Sequence, residues 1–491
     1  MEYIPLDQHR VAAAGQLSAN PLDVLVVGGG IVGAGVARDA AMRGLRVGLV
    51  EQHDLAFGTS SRSSRLLHGG LRYLAQGRLG LVYEASREKR VLSRIAPHLA
   101  EPLPFIFPTY RRTCWPLWQL RIGVKLYDLL CGGQNLGPSS RLTVAEMEAH
   151  LPGISRQNLT GAVRYFDALT NDSRLVLDTL RSTARYGAII CNYTKLEDAP
   201  PCYEGWRCRV RDVLADRPYE ITARTVVAAA GPWAESLPHS RIRLRLTKGV
   251  HLVIDRRRLP VPDAVVMAEG RRILFAIPWG ERVILGTTDT DYAGPIEAVR
   301  ADADDVAYIL GVTNTCFPEA GLTAADVLSS WAGLRPLLAA PRGTPSDVSR
   351  AHQIGMPEPG WFEVAGGKLT TYRLIAQQVV DRLLRHLGRP AVPCRTAAEP
   401  LWEPLESEPS EAKSVSAIVP PAVGPEVVEH YCRDEWAVHL DDVMLRRSGW
   451  HYYLANADQI AQQVAGWMAE TFGWDAARQE TELARYQDAG R

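Results

Sequence analysis

The first clear pattern of hydrophobic and polar positions lies near the N-terminus, in the segment DVLVVGGGIVGAG at 23–35. Its opening run of valine and leucine is typical of a buried parallel strand, and three glycines then lead into a helix. Gly44 is placed to end that helix, since glycine often follows the last helical turn. A second apolar strand comes next, at 46–51. The pattern therefore predicts a strand–helix–strand unit with parallel strands.

Later segments show a different pattern, in which hydrophobic and polar residues alternate. These segments lie at 245–255, 272–279 and 282–290, and such alternation places the hydrophobic side chains on one face of a strand. We expect an antiparallel sheet with one buried face. Two further strands, at 224–231 and 362–366, end on glycine and are expected to join the first sheet. The chain thus predicts an α/β fold.

Three glycines after the first strand, Gly28, Gly30 and Gly33, have the spacing of a dinucleotide-binding turn. Gly28 permits the tight turn, Gly30 lets the backbone approach a pyrophosphate, and Gly33 allows close helix–strand packing. The N-terminus of the helix favours phosphate through its dipole and its unpaired N–H groups. Glu51 ends the second strand, where an acid accepts hydrogen bonds from the ribose. A turn that merely favours glycine would not explain this acid, so we predict dinucleotide binding.

The segment that follows Glu51 indicates which dinucleotide is bound. It lacks a second strand–helix–strand half of the usual nicotinamide layout, and TSSRSSRLLHGGLRY at 59–73 offers hydroxyls and backbone amides instead. These groups suit the pyrophosphate channel of a flavin enzyme. A polar surface loop would explain the serines, but it would not explain the block at 68–73, where two glycines indicate backbone close to a flat ligand. FAD is therefore the predicted cofactor.

The predicted domains follow from these patterns and from length, because 491 residues are too many for one ordinary core. We expect an FAD-binding Rossmann-like domain interleaved with an antiparallel-sheet substrate domain, followed by a C-terminal helical cap domain. The expected boundaries are an N-terminal extension at 1–20; a discontinuous FAD-binding domain within 21–394 (about 21–90, 150–240 and 340–390); an inserted substrate-binding domain (about 91–149 and 241–339); a proline- and glutamate-rich linker at 395–425; and the helical domain at 426–491.

Several segments together resemble the FAD-dependent, respiratory glycerol-3-phosphate dehydrogenases, and the resemblance runs from about residue 21 to the end of the chain. The matching segments are GGGIVGAG (28–35), TSSRSSRLLHGGLRYL (59–74), FDALTNDSRLVL (166–177), AAGPW (229–233), KGVHLV (248–253), GTTDTDY (286–292), AGLRPL (332–337), GGKLTTYR (366–373) and DEWAVHLDDVMLRRSGW (434–450). Val32 and Ala230 depart from the family's usual residues. Both lie on the FAD side, so they affect cofactor contacts only in detail.

The resemblance implies FAD-dependent oxidation of sn-glycerol 3-phosphate to dihydroxyacetone phosphate by hydride transfer to flavin, with electrons then passed to a membrane quinone. Three alternatives stay open. Oxygen as the acceptor would make the chain a glycerol-3-phosphate oxidase. An amine or amino-acid oxidase has the same flavin fold, and a flavin-bound sensor would show no turnover. A homodimer is one option for its assembly.

The segment GGKLTTYR at 366–373 is predicted to lie against the flavin. A strand ends at Gly366–Gly367 and a helix begins near Leu369, so the helix N-terminus would stabilise negative charge on the reduced ring. A capped surface helix is the alternative. The complete set of expected FAD contacts is Gly28, Gly30, Ile31, Gly33, Glu51, Gln52, Thr59, Ser60, Ser61, Arg65, Leu67, His68, Gly69, Gly70, Ala230, Gly231, Gly367, Lys368, Leu369 and Thr370.

Cationic side chains are the candidates for binding the substrate phosphate, since a guanidinium meets a phosphate with two parallel N–H bonds. Arg335 stands in the apolar stretch AGLRPLL, where an unpaired charge would be costly. Its anionic partner is either the ligand or an internal carboxylate. Arg350 is the weakest candidate, because a single arginine is normally a surface residue. The resemblance implies Tyr73 and Lys368 as substrate contacts as well. The expected substrate-binding residues are Arg72, Tyr73, Arg335, Arg350, Lys368 and Thr370.

A base is also needed to take the proton of the substrate hydroxyl. His251 lies on the predicted strand KGVHLV, and the near-neutral pKa of an ordinary histidine suits this task. A buried structural histidine is the alternative for His251, and His68 is a rival base. Arg335 could polarise the hydroxyl. The expected catalytic residues are His251, Arg335 and Lys368, and Thr287, Thr288 and Asp289 are expected to have structural or orienting roles.

Composition excludes several other functions. With 55 basic and 55 acidic residues, the chain has no electrostatic footprint for nucleic acid. Its eight cysteines include no CxxC pair, which indicates reduced thiols and no zinc or iron–sulfur site, so no metal is expected. The N-terminus lacks the pattern of a signal peptide. No run reaches the ~18 apolar residues that a membrane span requires.

Residues 111–130 combine basic residues with tryptophans and aliphatic residues. Such a segment either lies in the lipid headgroup region or packs on the domain with its tryptophans in the core. The resemblance to quinone-reducing enzymes favours the membrane. We therefore expect a cytoplasmic protein attached peripherally to the inner face of the cell membrane.

Overall fold

The computed structural model describes residues 6–71, 74, 78–111, 113–132, 135–270, 272–339, 352–401 and 415–490. Its helices are α1 Leu6–Ala19, α2 Ile31–Met42, α3 Leu79–Ile95, α4 Leu117–Leu130, α5 Val144–His150, α6 Asp172–Arg185, α7 Ala303–Cys316, α8 Tyr372–His386, α9 Pro425–Asp434, α10 Trp450–Tyr453, α11 Ala457–Phe472 and α12 Ala476–Ala489.

The strands complete the description. They are β1 Leu22–Val27, β2 Val47–Val50, β3 Leu66–Leu67, β4 Glu101–Tyr110, β5 Ser140–Leu142, β6 Leu159–Leu169, β7 Ile189–Cys191, β8 Thr194–Asp198, β9 Pro201–Cys202, β10 Gly205–Asp212, β11 Arg217–Ala228, β12 Leu244–Asp255, β13 Ala264–Glu269, β14 Arg272–Trp279, β15 Arg282–Gly286, β16 Thr290–Asp291, β17 Val327–Leu338, β18 His352–Glu358 and β19 Trp361–Gly366.

The first sheet has the strand order β18-β19-β11-β1-β2-β7, and β8, β9 and β10 extend it beside β11. β1 pairs in parallel with both β2 and β11, and β11 pairs in parallel with β19. The apolar strands are buried because helices α2, α6 and α8 cover one face with a shared hydrophobic core. Gly35 allows α2 to approach α8 closely, since a Cβ there would lie 2.8 Å from Cδ2 of Tyr372.

The second sheet is largely antiparallel, with the order β16-β12-β15-β14-β13-β4-β6-β3. β17 pairs with β12 along almost its whole length, and β5 pairs with β6. The predicted strand at 245–255 corresponds to β12, and the one at 272–279 is β14. The third predicted segment, 282–290, is divided, because β15 ends at Gly286 and β16 begins at Thr290.

The C-terminal helices form a separate hydrophobic cluster around Tyr431, Met444 and Trp450. A buried ion network joins this cluster to the rest of the chain. Arg447 donates to both carboxylate oxygens of Asp54, at 2.6 and 2.8 Å, and Arg446 also contacts Asp54. The predicted fold class, an α/β flavoprotein fold with an antiparallel sheet and a C-terminal helical domain, is confirmed.

Two of the expected connecting segments are more ordered than their composition indicates. Residues 6–19 form α1 instead of a loose extension, since Leu17 is buried and Arg10 donates to Asp212. The described beginning of the expected linker, 395–401, packs against α2. Arg38 of α2 is buried there and donates to the carbonyls of residues 396, 399 and 400. The expected domain boundaries themselves remain a prediction.

Candidate active site

A large cleft lies where the carboxyl ends of the parallel strands meet the second sheet. Five stretches of chain line it: the turn between β1 and α2, the loop at 57–64, the residues after β11, the facing strands β12 and β17, and residues 364–369. The carboxyl edge of a parallel sheet is the usual ligand site of such folds. The predicted parallel sheet and the predicted antiparallel sheet therefore both contribute residues to one cleft.

The turn between β1 and α2 is a tight cradle built on glycine. Gly28 has a φ of +116°, and a Cβ there would lie 2.5 Å from the carbonyl oxygen of Ala229. A Cβ on Gly33 would lie 1.9 Å from the carbonyl oxygen of Gly28, so only glycine permits this packing of α2. A Cβ on Gly30 would enter the cleft wall, 3.1 Å from Oγ of Ser60. The cradle fits the close approach of a pyrophosphate to the helix N-terminus.

Glu51 is fixed at the end of β2. Its carboxylate accepts hydrogen bonds from the N–H groups of Gly29 at 2.7 Å and His53 at 2.9 Å. Burial raises the pKa of Glu51, and these two N–H groups oppose the rise. The carboxylate also lines the cleft, so its remaining lone pairs can accept hydrogen bonds from ribose hydroxyls.

The hydroxyl-rich loop after Phe57 is held in place by its own side chains. The Thr59 hydroxyl donates to the carbonyl of Leu334 at 2.6 Å, and Oγ of Ser60 accepts from the N–H of Ile31 at 3.0 Å. The N–H of Ser63 donates to the buried carboxylate of Asp172 at 2.9 Å. The loop therefore connects the cradle to the second sheet and forms one wall of the cleft.

The floor of the cleft is formed by one face of β12 and β17. Their register pairs Gly249 with Gly333 and His251 with Trp331. Residues two apart on a strand share a face, so Arg335 lies on the same face. A Cβ on Gly249 would lie 2.4 Å from the Arg335 guanidinium, and one on Gly333 would lie 2.5 Å from the Arg62 carbonyl. The two glycines thus make room for Arg335 and for the loop wall.

Arg335 has an internal carboxylate as its partner and also lines the cleft. Its guanidinium donates to Oδ1 of Asp289 at 3.2 Å, to the Thr288 carbonyl at 3.1 Å and to the Thr287 hydroxyl at 3.0 Å. The segment at 287–289 therefore holds the guanidinium in place. About a fifth of the Arg335 side chain is exposed. Arg335 therefore lines the cleft with its guanidinium held by internal partners.

His251 is buried in the cleft wall, where its ring stacks on Trp331 with 5.1 Å between centroids. Its Nε2 is 2.8 Å from the hydroxyl oxygen of Ser64. Burial lowers the pKa of His251 well below its usual value, and the positive charges of Arg335 and Arg65 lower it further. The imidazole is therefore neutral near pH 7 and can accept a proton.

Most of the predicted site residues line the cleft. These are His251, Arg335 and Lys368 together with Gly28, Gly30, Ile31, Glu51, Gln52, Thr59, Ser60, His68, Ala230, Gly231, Gly367 and Leu369. Arg72, Tyr73 and Arg350 lie outside the described residues.

Seven other predicted contacts lie behind the cleft lining: Gly33, Ser61, Arg65, Leu67, Gly69, Gly70 and Thr370. The Thr370 hydroxyl is occupied by the backbone of His68, from whose N–H it accepts at 3.1 Å. The Arg65 guanidinium is buried over the ring of Trp279, 4.3 Å from its centroid, and faces Asp172. Neither side chain is part of the cleft lining. The Arg65 Nε and Nη1 atoms are buried without a hydrogen-bond partner among the described residues.

Ser64, Gly249 and Gly333 also line the cleft, although the sequence did not predict them as site residues. Ser64 stands within TSSRSS, whose hydroxyls were considered only for FAD. The glycines had a usable signal, since each is two residues from a nominated residue, His251 or Arg335, and so shares its face. What the sequence does not reveal is that β12 and β17 pair in the register that brings the two faces together.

No group of three or more histidine, cysteine, aspartate or glutamate side chains is arranged to hold a metal ion in the described part of the chain. Within the same residues, no helix is both long enough and apolar enough to cross a bilayer.

Helix α4, within the predicted membrane-binding segment, has two different faces. Leu120, Val124 and Tyr127 are buried against the domain. On the opposite face, Trp118 and Ile122 are each 61% exposed and Leu129 is 72% exposed. Trp115, just before the helix, packs against Phe107. The helix thus packs on the domain and still presents an apolar face to the outside, which we call the α4 outer face (Trp118, Ile122 and Leu129).

Comparisons with known proteins agree with this geometry. Residues 23–382 match the family described as FAD dependent oxidoreductase, and residues 371–479 match the C-terminal domain of alpha-glycerophosphate oxidase. The chain is 41% identical to the glycerol-3-phosphate dehydrogenase of Mycobacterium leprae, over 76% of this chain and 65% of that protein. It is 35% identical to glycerol-3-phosphate dehydrogenase 2 of Mycobacterium bovis, over 97% of this chain and 89% of that protein.

The fold is similar to a crystal structure of the glycerol-3-phosphate dehydrogenase from Bacillus halodurans complexed with FAD. The TM-score is 0.77, the sequences are 29% identical, and the match covers 98% of this chain and 95% of that one.

Proposed function

Because this chain belongs to the FAD-dependent glycerol-3-phosphate dehydrogenase family, we propose that it oxidises sn-glycerol 3-phosphate to dihydroxyacetone phosphate. The predicted family and the predicted cofactor, FAD, are confirmed by that membership. The single observation that carries the proposal is the placement of Arg335 and His251 on one face of the paired strands β12 and β17, in the same cleft as the glycine cradle.

The proposed reaction removes a hydride and a proton from the secondary alcohol. FAD, when bound in the cradle, supplies an acceptor for the hydride that leaves C2. Arg335 binds the substrate phosphate, with Lys368 as a second cation at the same cleft. These contacts fix the distance of C2 from the cofactor, which lowers the entropic part of the barrier.

His251 takes the hydroxyl proton in this proposal. Its lowered pKa keeps the ring unprotonated, so it is ready to act as a base at neutral pH. Ser64 lines the cleft and contacts Nε2, so its hydroxyl orients the ring. The proton and the hydride together account for the two electrons and two hydrogens that the alcohol loses on becoming a ketone.

Substrate profiling tests this assignment. The FAD-loaded protein is assayed with an artificial electron acceptor and with glycerol 3-phosphate, glycerol, amines and amino acids in turn. We expect turnover with glycerol 3-phosphate and little with unphosphorylated glycerol. Turnover only with amines or amino acids would identify an oxidase of the same flavin fold, and no turnover with any compound would identify a sensor.

For the electron acceptor we propose a membrane quinone, with the protein attached peripherally to the inner face of the cell membrane. The α4 outer face supports this, because three exposed large apolar side chains on one helix suit the headgroup region of a bilayer. Leu79 and Tyr83 of α3, which contacts α4, add exposed apolar surface. Oxygen is the alternative acceptor, and stoichiometric peroxide during turnover in air would establish it.

A further inference from the structure

A second cavity, of about 430 Å³, lies at the N-terminal end of α4, and we call it the α4 cavity. Its lining comes from four elements: the end of β4, the first turn of α4, β5 and the beginning of β6. The residues are Tyr110, Arg111, Thr113, Pro116, Leu117, Trp118, Arg121, Arg141 and Thr160. The proposed oxidation does not use this cavity, and the cavity is large enough for a small polar group.

The α4 cavity is strongly cationic. Arg111, just after β4, Arg121 of α4 and Arg141 of β5 line it, and no carboxylate stands among the described lining residues. Some other exposed arginines are paired, such as Arg211 with Glu197 and Arg257 with Asp255. Guanidiniums gathered without carboxylates repel one another, so an arrangement of this kind is favourable with an anion bound.

The three guanidiniums make no ion pair or side-chain hydrogen bond within the described part of the chain. Glu146, whose carboxylate Arg141 influences electrostatically, is not part of the cavity lining and accepts hydrogen bonds from Thr143 as the cap of α5. The described lining therefore holds three arginines and no carboxylate.

A buried hydroxyl provides an independent observation. The Oη of Tyr110 is buried and has no hydrogen-bond partner among the described residues. Because an unsatisfied buried hydroxyl is unfavourable, a ligand that accepts a hydrogen bond from it would stabilise the site. Burial raises the pKa of Tyr110, and the phenol therefore keeps its proton and can donate it in a hydrogen bond. Three cations and one donor are the groups that recognise a phosphate.

The neighbouring surface identifies the source of that phosphate. Trp118 lines the α4 cavity and also belongs to the α4 outer face, where it is 61% exposed. A cavity that begins at the edge of an apolar, membrane-facing helix is placed at the depth of lipid headgroups. We propose that the α4 cavity binds the headgroup phosphate of an anionic phospholipid. This inference rests on the proposed peripheral attachment and adds to it a specific lipid contact.

The test measures binding of the FAD-loaded full-length protein to vesicles of phosphatidylcholine, with and without phosphatidylglycerol. The triple substitution Arg111→Gln, Arg121→Gln and Arg141→Gln should reduce the preference for phosphatidylglycerol on the order of 100-fold, given about 1 kcal/mol per cation. The change Tyr110→Phe, which keeps the ring, should reduce it about 5-fold through loss of one hydrogen bond.

A matched control removes the same charge elsewhere. Lys195, Arg207 and Arg217 are exposed on strands of the first sheet, and their joint change to Gln should leave the preference nearly unchanged. An equal loss in this control would mean that only net charge matters, which would overturn the proposal. Retention of the preference in the Arg111/Arg121/Arg141 variant would also overturn it.

Two further readouts separate the remaining explanations. Binding of inorganic phosphate to the protein is measured by calorimetry. If the three arginine substitutions abolish phosphate binding but leave the preference for phosphatidylglycerol vesicles intact, the cavity is a site for free anions, and the lipid assignment is overturned. Flavin reduction by glycerol 3-phosphate should be normal in every variant. Its absence in the unmodified protein would refute the proposed oxidation, whereas failure of that protein to bind vesicles would refute the lipid site and the peripheral attachment but not the oxidation.

Discussion

At the residue scale, the central feature is a neutral histidine beside a cation. The pKa of His251 lies below that of a free histidine because of burial and of the charge on Arg335. Between pH 8 and 6 the folded protein therefore keeps the ring unprotonated. Below about pH 6.5 the unfolded chain binds a proton at His251 that the folded chain does not bind. The contribution of His251 to the free energy of unfolding therefore falls as pH decreases.

This assignment predicts the pH dependence of catalysis. At saturating substrate, the rate of flavin reduction should stay nearly constant from pH 8 to pH 6, since the base remains deprotonated. His251→Gln should slow the step by about 10²–10⁴-fold without loss of FAD. Stopped-flow absorbance measures both. A rate that falls with an apparent pKa near 6.5, as for an unperturbed histidine, would contradict the assignment.

Arg335 gives the second prediction at this scale. Arg335→Ala should lower kcat/KM for glycerol 3-phosphate, because a charged donor to the phosphate is lost. The expected loss of transition-state stabilisation is about 2–4 kcal/mol. Arg335→Lys serves as the control that keeps the charge and should recover part of the loss. FAD content and the poor activity on glycerol should hardly change. A parallel fall for both substrates would make the role of Arg335 structural.

At the element scale, the floor of the cleft depends on the pairing of β12 with β17. Gly249→Ala should displace the Arg335 guanidinium, since the new Cβ would lie 2.4 Å from it and a long side chain yields more easily than backbone. We expect KM for glycerol 3-phosphate to rise about 10-fold, with FAD retained. Gly311→Ala, on α7 with open space around it, is the control. Loss of FAD in the Gly249 variant alone would show that the strand itself had shifted.

The second prediction at the element scale concerns α4. Changing Trp118, Ile122 and Leu129 together to Ser should release the protein from vesicles, while flavin reduction by substrate and the melting temperature stay the same. The contrasting change Val124→Ala, on the packed face, should lower the melting temperature through the cavity it leaves. Vesicle flotation and a thermal melt measure the two effects. An outer-face variant that still floats with lipid would exclude α4 as the anchor.

At the scale of the whole molecule, local patterns were enough to predict the cradle but not the floor of the cleft. Gly28, Gly30 and Gly33 are close in sequence, so their spacing alone defines a turn and the start of a helix. Arg335 and His251 lie on strands far apart in sequence, and their common face depends on a register that no local pattern fixes.

The contact between Asp54 and the paired arginines 446 and 447 is equally long-range. Hydrophobic periodicity therefore predicted that a C-terminal helical domain exists, but not where it attaches. Ser64 was missed for a similar reason, because its partner His251 reaches it only after the second sheet has formed.

The most direct test of the account is an anaerobic titration of the FAD-loaded protein with glycerol 3-phosphate. We predict that one equivalent of substrate bleaches the bound flavin and yields one equivalent of dihydroxyacetone phosphate, and that glycerol at the same concentration leaves the spectrum unchanged. A flavin that stays oxidised in excess glycerol 3-phosphate would contradict the account.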